Sequence, residues 1–299
     1  MRPLDFIRLL RPQFLIAGVA LNLLGTAVAL HLGASMDWAK FAMFQLVISS
    51  SQLAGACANE YADTASDRLN ANRTWFSGGS GMIISGRVTS KTVASAILFW
   101  AGLALVAALV LAFPMNAGAL SFVLVAVGLS LALTYSLRPL MLSYRGLGEI
   151  AMAFMVSFLT PVVSSYVISG AFHELVVWAS VPLVLQLLGL MMVVEYPDRD
   201  ADLAAGKNNL VVRLGVGQSW SLGILMLVAG GAVAIGGIAG GLPTLAAIIS
   251  GAILLAEALI FWVIGRTPES RTKAFWSPAI SCGFYVLVIM VLAATIYGS

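Results

Sequence analysis

Nine runs of mostly apolar residues, each about as long as a bilayer is thick, decide what this chain can become. They cover 13–31, 39–58, 91–113, 117–135, 147–170, 175–195, 219–240, 243–264 and 276–297. A helix that crosses the hydrocarbon core needs about 20 such residues. The runs are continuous and lack the two-residue alternation of a membrane β-strand, so the fold class is all-α and polytopic, with nine transmembrane helices. Composition agrees. Apolar residues make up 60% of the chain and charged residues 10%, against roughly 25% charged in soluble domains. That excludes a soluble globular enzyme, a disordered regulator and a nucleic-acid-binding module, so no nucleic acid is expected among the partners. The net charge of +3 reflects a shortage of acids rather than a basic patch. Cys57 and Cys282 sit in apolar runs and read as buried free thiols. The basic N-terminus runs into an apolar stretch longer than a signal peptide's and has no cleavage pattern, so it reads as a retained first span.

Basic residues set the expected orientation. Arg2, Arg8, Arg11, Arg68, Arg73, Arg87, Lys91, Arg138, Arg145, Arg199, Lys207, Arg213, Arg266, Arg271 and Lys273 fall on one set of connections, and Lys40 alone falls on the other. This asymmetry places the N-terminus and loops 59–90, 136–146, 196–218 and 265–275 in the cytoplasm, and the C-terminus outside.

The acids are concentrated. Seven of the thirteen lie in Asn59–Asp67 and Glu195–Asp202, each at the cytoplasmic end of an even-numbered span. Asp198 follows Asp63, and Asp202 follows Asp67, at one common offset of 135 residues. The repeat suggests a single domain, 1–299, of two related halves around a central cavity, about 1–146 and 147–299. Asn59, Asp63 and Asp67 are spaced i, i+4, i+8, and Asp198 and Asp202 i, i+4, so each set lines one helix face. Like charges at that spacing repel, and a divalent cation reverses the sign of that effect. Oxygen donors without imidazole or thiolate suit Mg²⁺, which keeps waters and takes one or two carboxylates plus substrate phosphates. Ordinary polar helix ends at a wet interface are the plainer reading. Five matched residues in two windows favour the metal.

Arg73 and the run Gly78-Gly79-Ser80-Gly81 follow the first window, and Gly206-Lys207 follows the second. Arg73 and Lys207 suit the neutralisation of a leaving diphosphate, and the glycines suit an anion nest. The positive-inside bias accounts for any one of these bases equally well. Glu257, in the middle of span eight, is either protonated and hydrogen-bonded between helices or near a site. His31 and His173 map to the opposite face and are given no chemistry.

Asn59-x3-Asp63-x3-Asp67, with Glu60 where Asp is usual, resembles the first aspartate-rich motif of the UbiA superfamily of intramembrane prenyltransferases. Asp198-x3-Asp202 followed by Gly206-Lys207 resembles the second motif. The segments Gly78–Ile83, Tyr135–Pro139 and Ser143–Glu149 look like those of 1,4-dihydroxy-2-naphthoate polyprenyltransferases. Val194-Glu195-Tyr196-Pro197 departs from the Asn-rich stretch that relatives carry there, and Pro197 is expected to kink or end helix six.

The resemblance implies Mg²⁺-dependent transfer of a polyprenyl group from prenyl diphosphate to an aromatic acceptor, in quinone or related lipid biosynthesis at a prokaryotic inner membrane. It implies a pair of Mg²⁺ ions on Asn59, Asp63, Asp67, Asp198 and Asp202. Arg73 and Lys207 would steady the leaving diphosphate, and Tyr135, Arg138, Arg145 and Glu149 would contact substrate. The prenyl tail would lie among the membrane helices, with membrane lipid around them. A terpene cyclase of the same fold would use the same residues without an aromatic acceptor. A secondary transporter would place its acids near midplane instead, and a CDP-alcohol phosphotransferase would need an acidic run that is absent here.

Overall fold

The fold is that of a computed structural model, which describes residues 8–70, 73–74 and 76–299. Arg2 and the side chain of Arg271, both counted in the charge asymmetry, lie outside the described residues. Among the described residues, nine helices follow the nine apolar runs: α1 (Leu15–His31), α2 (Trp38–Ala62), α3 (Ser90–Ala112), α4 (Ala119–Thr134), α5 (Gly148–Ser169), α6 (Glu174–Glu195), α7 (Val216–Gly236), α8 (Thr244–Gly265) and α9 (Arg271–Tyr297). Eight are long and apolar enough to cross a membrane, and α4 is a shorter apolar helix. Among the described residues there is no β-strand.

The bundle has two packing groups. Helices α2, α3 and α4 pack on one another, as do α6, α7, α8 and α9. Helices α1 and α5 lie between them, α1 against α2, α5 and α9, and α5 against α1, α2 and α6. Lipid tails are as apolar as Leu, so close approach and polar contacts must hold such a bundle. At the α1–α5 crossing a Cβ on Gly25 would run into the Pro161 carbonyl and the Ser164 side chain. Beside it Ser164 Oγ donates to Asn22 Oδ1 at 2.7 Å, and Asn22 Nδ2 donates to Gln45 Oε1 at 3.1 Å, tying α1, α2 and α5 together.

Glu257 on α8 is fully buried. Its carboxylate accepts from Gln186 Nε2 on α6 at 2.7 Å and from Ser281 Oγ on α9 at 2.6 Å. Of its two expected roles, it therefore has the interhelical one.

Three departures from regular helix shape the acidic end of the bundle. Helix α5 contains a π-helical stretch, Phe154–Leu159, just before Pro161, which has no N–H to give. Thr160 Oγ1 donates to the Met155 carbonyl there at 2.9 Å. Helix α6 stops at Glu195, as Pro197 leads one to expect, and a 3₁₀ turn (Tyr196–Asp198) passes into a short helix, Arg199–Ala204. After α2 the chain turns at Asp63 into another short helix, Thr64–Leu69. The two short helices touch each other.

Candidate functional site: an acidic chamber joined to an apolar one

The turn after α2 and the turn after α6 bring the two acidic windows to one cavity of about 280 Å³. Asn59, Asp63, Asp67, Asp198, Asp202 and Lys207 all line it. Asp63, Asp67 and Asp202 are only 5–7% exposed, so each depends on nearby partners.

Those partners come from four segments. Lys207 Nζ lies 2.8 Å from Asp63 Oδ2 and 3.2 Å from Asp202 Oδ1, bridging the two windows. Gly206, at φ +76°, makes the turn that aims it. Tyr144 donates its hydroxyl to Asp63 Oδ1 at 2.9 Å, and Asn209 Nδ2 donates to Asp202 Oδ2 at 2.9 Å. Asp198 accepts from Asn70 Nδ2 at 2.6 Å and from the Gly78 N–H at 2.8 Å. Asn59 Oδ1 accepts from Ser136 Oγ at 2.8 Å. The glycine run is held by Glu60, whose oxygens accept from the N–H groups of Ser80 (2.6 Å) and Met82 (3.2 Å). Glu60 thus serves the loop rather than the chamber.

Electrostatics follow from burial and crowding. Burial pulls the Lys207 pKa down, but Asp63 and Asp202 pull harder, and it ends above the usual lysine range. Burial, then the charges of Asp63 and Glu60, push the Asp67 carboxyl up to about 7. Burial and Asp63 raise the Tyr144 phenol.

Other expected site residues fall elsewhere. Arg73 does not line the chamber; its Nη2 donates to the Asp67 backbone carbonyl at 2.8 Å, bracing the turn. Arg138 and Arg145 are exposed, and Arg145 Nη2 donates to the Pro139 carbonyl. Tyr135 does line the chamber. Glu149 is fully buried beside it and accepts from the Leu210 N–H. Cys57 is buried, but Cys282 is only half-buried, on the chamber wall, because α9 is open to the cavity there.

Four residues with a part in the site were not singled out from sequence: Arg11, Asn70, Tyr144 and Asn209. Arg11 lines the chamber from the start of the first span. Asn70 lies three residues after Asp67, and Asn209 two after Lys207, so proximity to the motifs was the available signal.

A second cavity of about 250 Å³ shares Asn59, Tyr135, Met152 and Val156 with the first. Its other walls are mostly apolar, including Phe44, Ile48, Leu124, Leu129, Leu159 and Val163. Between Asn59 and Phe44 helix α2 rises about 22 Å. The π-helical stretch of α5 supplies Met155, Val156 and Leu159 to this wall.

The donor set suits a hard cation. Asp63, Asp67, Asp198, Asp202 and Glu195 line one chamber together with the amide of Asn59, and His31 and His173 lie at the far ends of α1 and α6. Among the described residues no three His, Cys, Asp or Glu side chains are gathered tightly enough to hold a metal alone. Mg²⁺ does not need that, since waters and substrate phosphates complete its shell.

The UbiA prenyltransferase family model matches residues 19–296. The chain belongs to the UbiA prenyltransferase family. It is an integral membrane protein of that family, and no curated protein matches it in sequence. In fold it is similar to a UbiA homologue from Aeropyrum pernix K1, at TM-score 0.71 and 18% identity, covering 95% of this chain and 97% of that one. A UbiA homologue from Archaeoglobus fulgidus bound to DMAPP and Mg²⁺ aligns at TM-score 0.64 and 16% identity over 95% and 99%. A digeranylgeranylglyceryl phosphate synthase aligns at TM-score 0.68 and 13% identity over 99% and 98%.

Proposed function

We propose that this UbiA-family protein transfers a polyprenyl group from prenyl diphosphate to an aromatic acceptor, with dihydroxynaphthoate-like rings favoured. The observation that carries this reading is the shared wall of the two cavities: an acidic, lysine-bridged chamber and a long apolar one meet at Asn59, Tyr135, Met152 and Val156. A diphosphate with an apolar tail needs both environments at that spacing. Two related halves, 1–146 and 147–299, each supply one acidic window. The Archaeoglobus homologue holding DMAPP and Mg²⁺ supports the same substrate class here.

Asp63, Asp67, Asp198 and Asp202, with Asn59, are the residues that would hold Mg²⁺. When bound, it supplies positive charge to the leaving diphosphate oxygens. Lys207, kept cationic by its two aspartates, adds a fixed positive charge beside them. Asn70 and the Gly78 N–H hold Asp198 in place, and Tyr144 holds Asp63. The apolar walls bury the tail, each CH₂ contributing roughly 0.8 kcal/mol, and keep water from the cationic allylic carbon. The segments that resemble dihydroxynaphthoate enzymes border this chamber through Gly78, Gly79, Tyr135 and Ser143. Those cues favour an aromatic acceptor. The charge asymmetry supports a chamber that faces the cytoplasm, with the C-terminus outside.

The test is product formation by purified protein with labelled prenyl diphosphates and Mg²⁺, offered dihydroxynaphthoate, hydroxybenzoate, homogentisate or no acceptor. A prenylated dihydroxynaphthoate-derived product is expected. Product only with another aromatic ring overturns the acceptor preference. A cyclic hydrocarbon or alcohol formed without acceptor overturns the transferase reading.

A further inference from the structure

One pair of acids, Glu195 on the chamber wall and Glu149 behind it, takes no part in holding the metal or the diphosphate. Glu149, near the start of α5, is fully buried, and its Oε1 accepts from the Leu210 N–H. Glu195, the last residue of α6, lines the chamber, and the opening turns of α5 that carry Glu149 pack against α6. Glu149 Oε2 and Glu195 Oε2 are both buried and meet no N–H or hydroxyl donor. Side by side in a low-dielectric wall, two carboxyl groups hold one proton between them more readily than none, which leaves room for one further proton. The charged and titratable groups whose fields reach the pair are Tyr135 from the end of α4, Asp202 from the short helix Arg199–Ala204, and Lys207 from the turn after it. Lys207 is engaged by Asp63 and Asp202. A buried, incompletely partnered acid pair is costly to keep. At a cavity wall such a pair has the makings of a proton acceptor.

We propose that Glu195 takes the proton of the acceptor's hydroxyl during transfer, and that Glu149 is the positioning residue that holds Glu195 and shares that proton. This rests on the transferase reading. As the acceptor's nucleophilic atom bonds to the allylic carbon, the carbon–oxygen bond to diphosphate breaks and its electron pair leaves with diphosphate. The hydroxyl proton passes to the carboxylate of the pair, leaving the pair doubly protonated and neutral. Where the ring then sheds a carboxyl group as CO₂, the pair returns that proton to the oxygen. Glu195 sits on the chamber wall that also carries Tyr135 and Met152, which border the apolar cavity. An acceptor seated there lies between the proton acceptor and the allylic carbon.

The test compares wild type with Glu195→Gln, Glu195→Asp and Glu149→Gln. It measures prenyl diphosphate binding with Mg²⁺, the kcat of transfer across pH, and rates with acceptor analogues of more acidic hydroxyls. Glu195→Gln is expected to bind prenyl diphosphate within twofold of wild type, while kcat at neutral pH falls about 10²–10⁴-fold, the usual worth of a positioned base. More acidic acceptors should recover much of that loss, and Glu195→Asp should recover at least about tenfold over Gln. Glu149→Gln should shift the acid limb of the pH–kcat profile. A Glu195→Gln kcat within threefold of wild type, lost diphosphate binding instead of lost turnover, or equal rates for Gln and Asp would each overturn the proposal. An unmoved profile in Glu149→Gln overturns the positioning role. Wild type that transfers to no acceptor overturns the transferase reading and this proposal together. Wild-type transfer with unaffected variants overturns this proposal alone.

Discussion

Lys207 Nζ lies 2.8 Å from Asp63 Oδ2, an ion pair that joins the end of α2 to the turn beyond α6. The two residues are 144 positions apart in sequence, and the contact closes the chamber between the two acidic windows. It also presets charge. Before substrate arrives, Lys207 neutralises carboxylates that would otherwise repel one another.

Lys207→Ala removes that counter-charge and leaves Asp63 and Asp202 crowded. Stripping one partner from a buried ion pair costs about 3–5 kcal/mol. Melting in detergent with EDTA should therefore drop clearly, and Mg²⁺ should restore part of the loss by replacing the positive charge. The KM for prenyl diphosphate should rise at least about tenfold, a loss of ~1.4 kcal/mol. Identical melting with and without Mg²⁺, at an unchanged KM, would contradict this role.

Asp67 titrates near 7 because it is buried beside Asp63 and Glu60. The folded, metal-free chain holds this proton more tightly than the unfolded chain. Its contribution to stability is therefore greatest below the ordinary aspartate range and is lost as pH rises toward 7. A cation must displace the same proton. Calorimetric Mg²⁺ binding should tighten between pH 6 and 8 and release protons to buffer. A pH-independent affinity without proton release would contradict the assignment of Asp67 as a ligand.

The apolar cavity passes Ala132 on α4. Ala132→Phe should obstruct it part-way. Displacing about four methylenes costs ~3 kcal/mol, about a hundredfold in kcat/KM. Long prenyl diphosphates should lose activity by that order while a five-carbon diphosphate keeps it. An equal loss for short and long donors would place the tail elsewhere.

Glu257→Ala should act on stability alone. It leaves Gln186 Nε2 and Ser281 Oγ without their shared acceptor between α6, α8 and α9. A buried polar group left unmet costs about 1–3 kcal/mol. Melting should fall while the KM for prenyl diphosphate stays put; a selective change in KM would bring Glu257 into the site.

Much of this was legible in the sequence, since a bilayer allows few alternatives. Continuous apolar runs specify helices, and charges at one face show where polar chemistry must sit. The i, i+4 spacing and the common offset marked Asp63, Asp67, Asp198 and Asp202 before any fold was known. The short helix α4 and the π-helical stretch of α5 were not marked, because hydropathy registers length and apolarity rather than backbone pitch. Arg73, Arg138 and Arg145 show the main limit of the charge pattern. A base that contacts substrate and one that follows the positive-inside rule look alike in sequence, and here the three hold backbone or face solvent. Tyr144, Asn70 and Asn209 reach the acids through turns whose direction only the packed bundle sets. Glu195 read as part of an acidic window, while its partner Glu149 comes from another helix.

The most direct test is equilibrium binding of a labelled, non-hydrolysable prenyl diphosphate to wild type, Asp63→Asn and Asp198→Asn, with and without Mg²⁺. One chamber shared by both windows predicts a single molecule bound per chain, only with Mg²⁺, and lost in either variant with the fold intact. Binding that survives within twofold in one of the two variants would mean the windows act separately, and the shared-chamber account would be wrong.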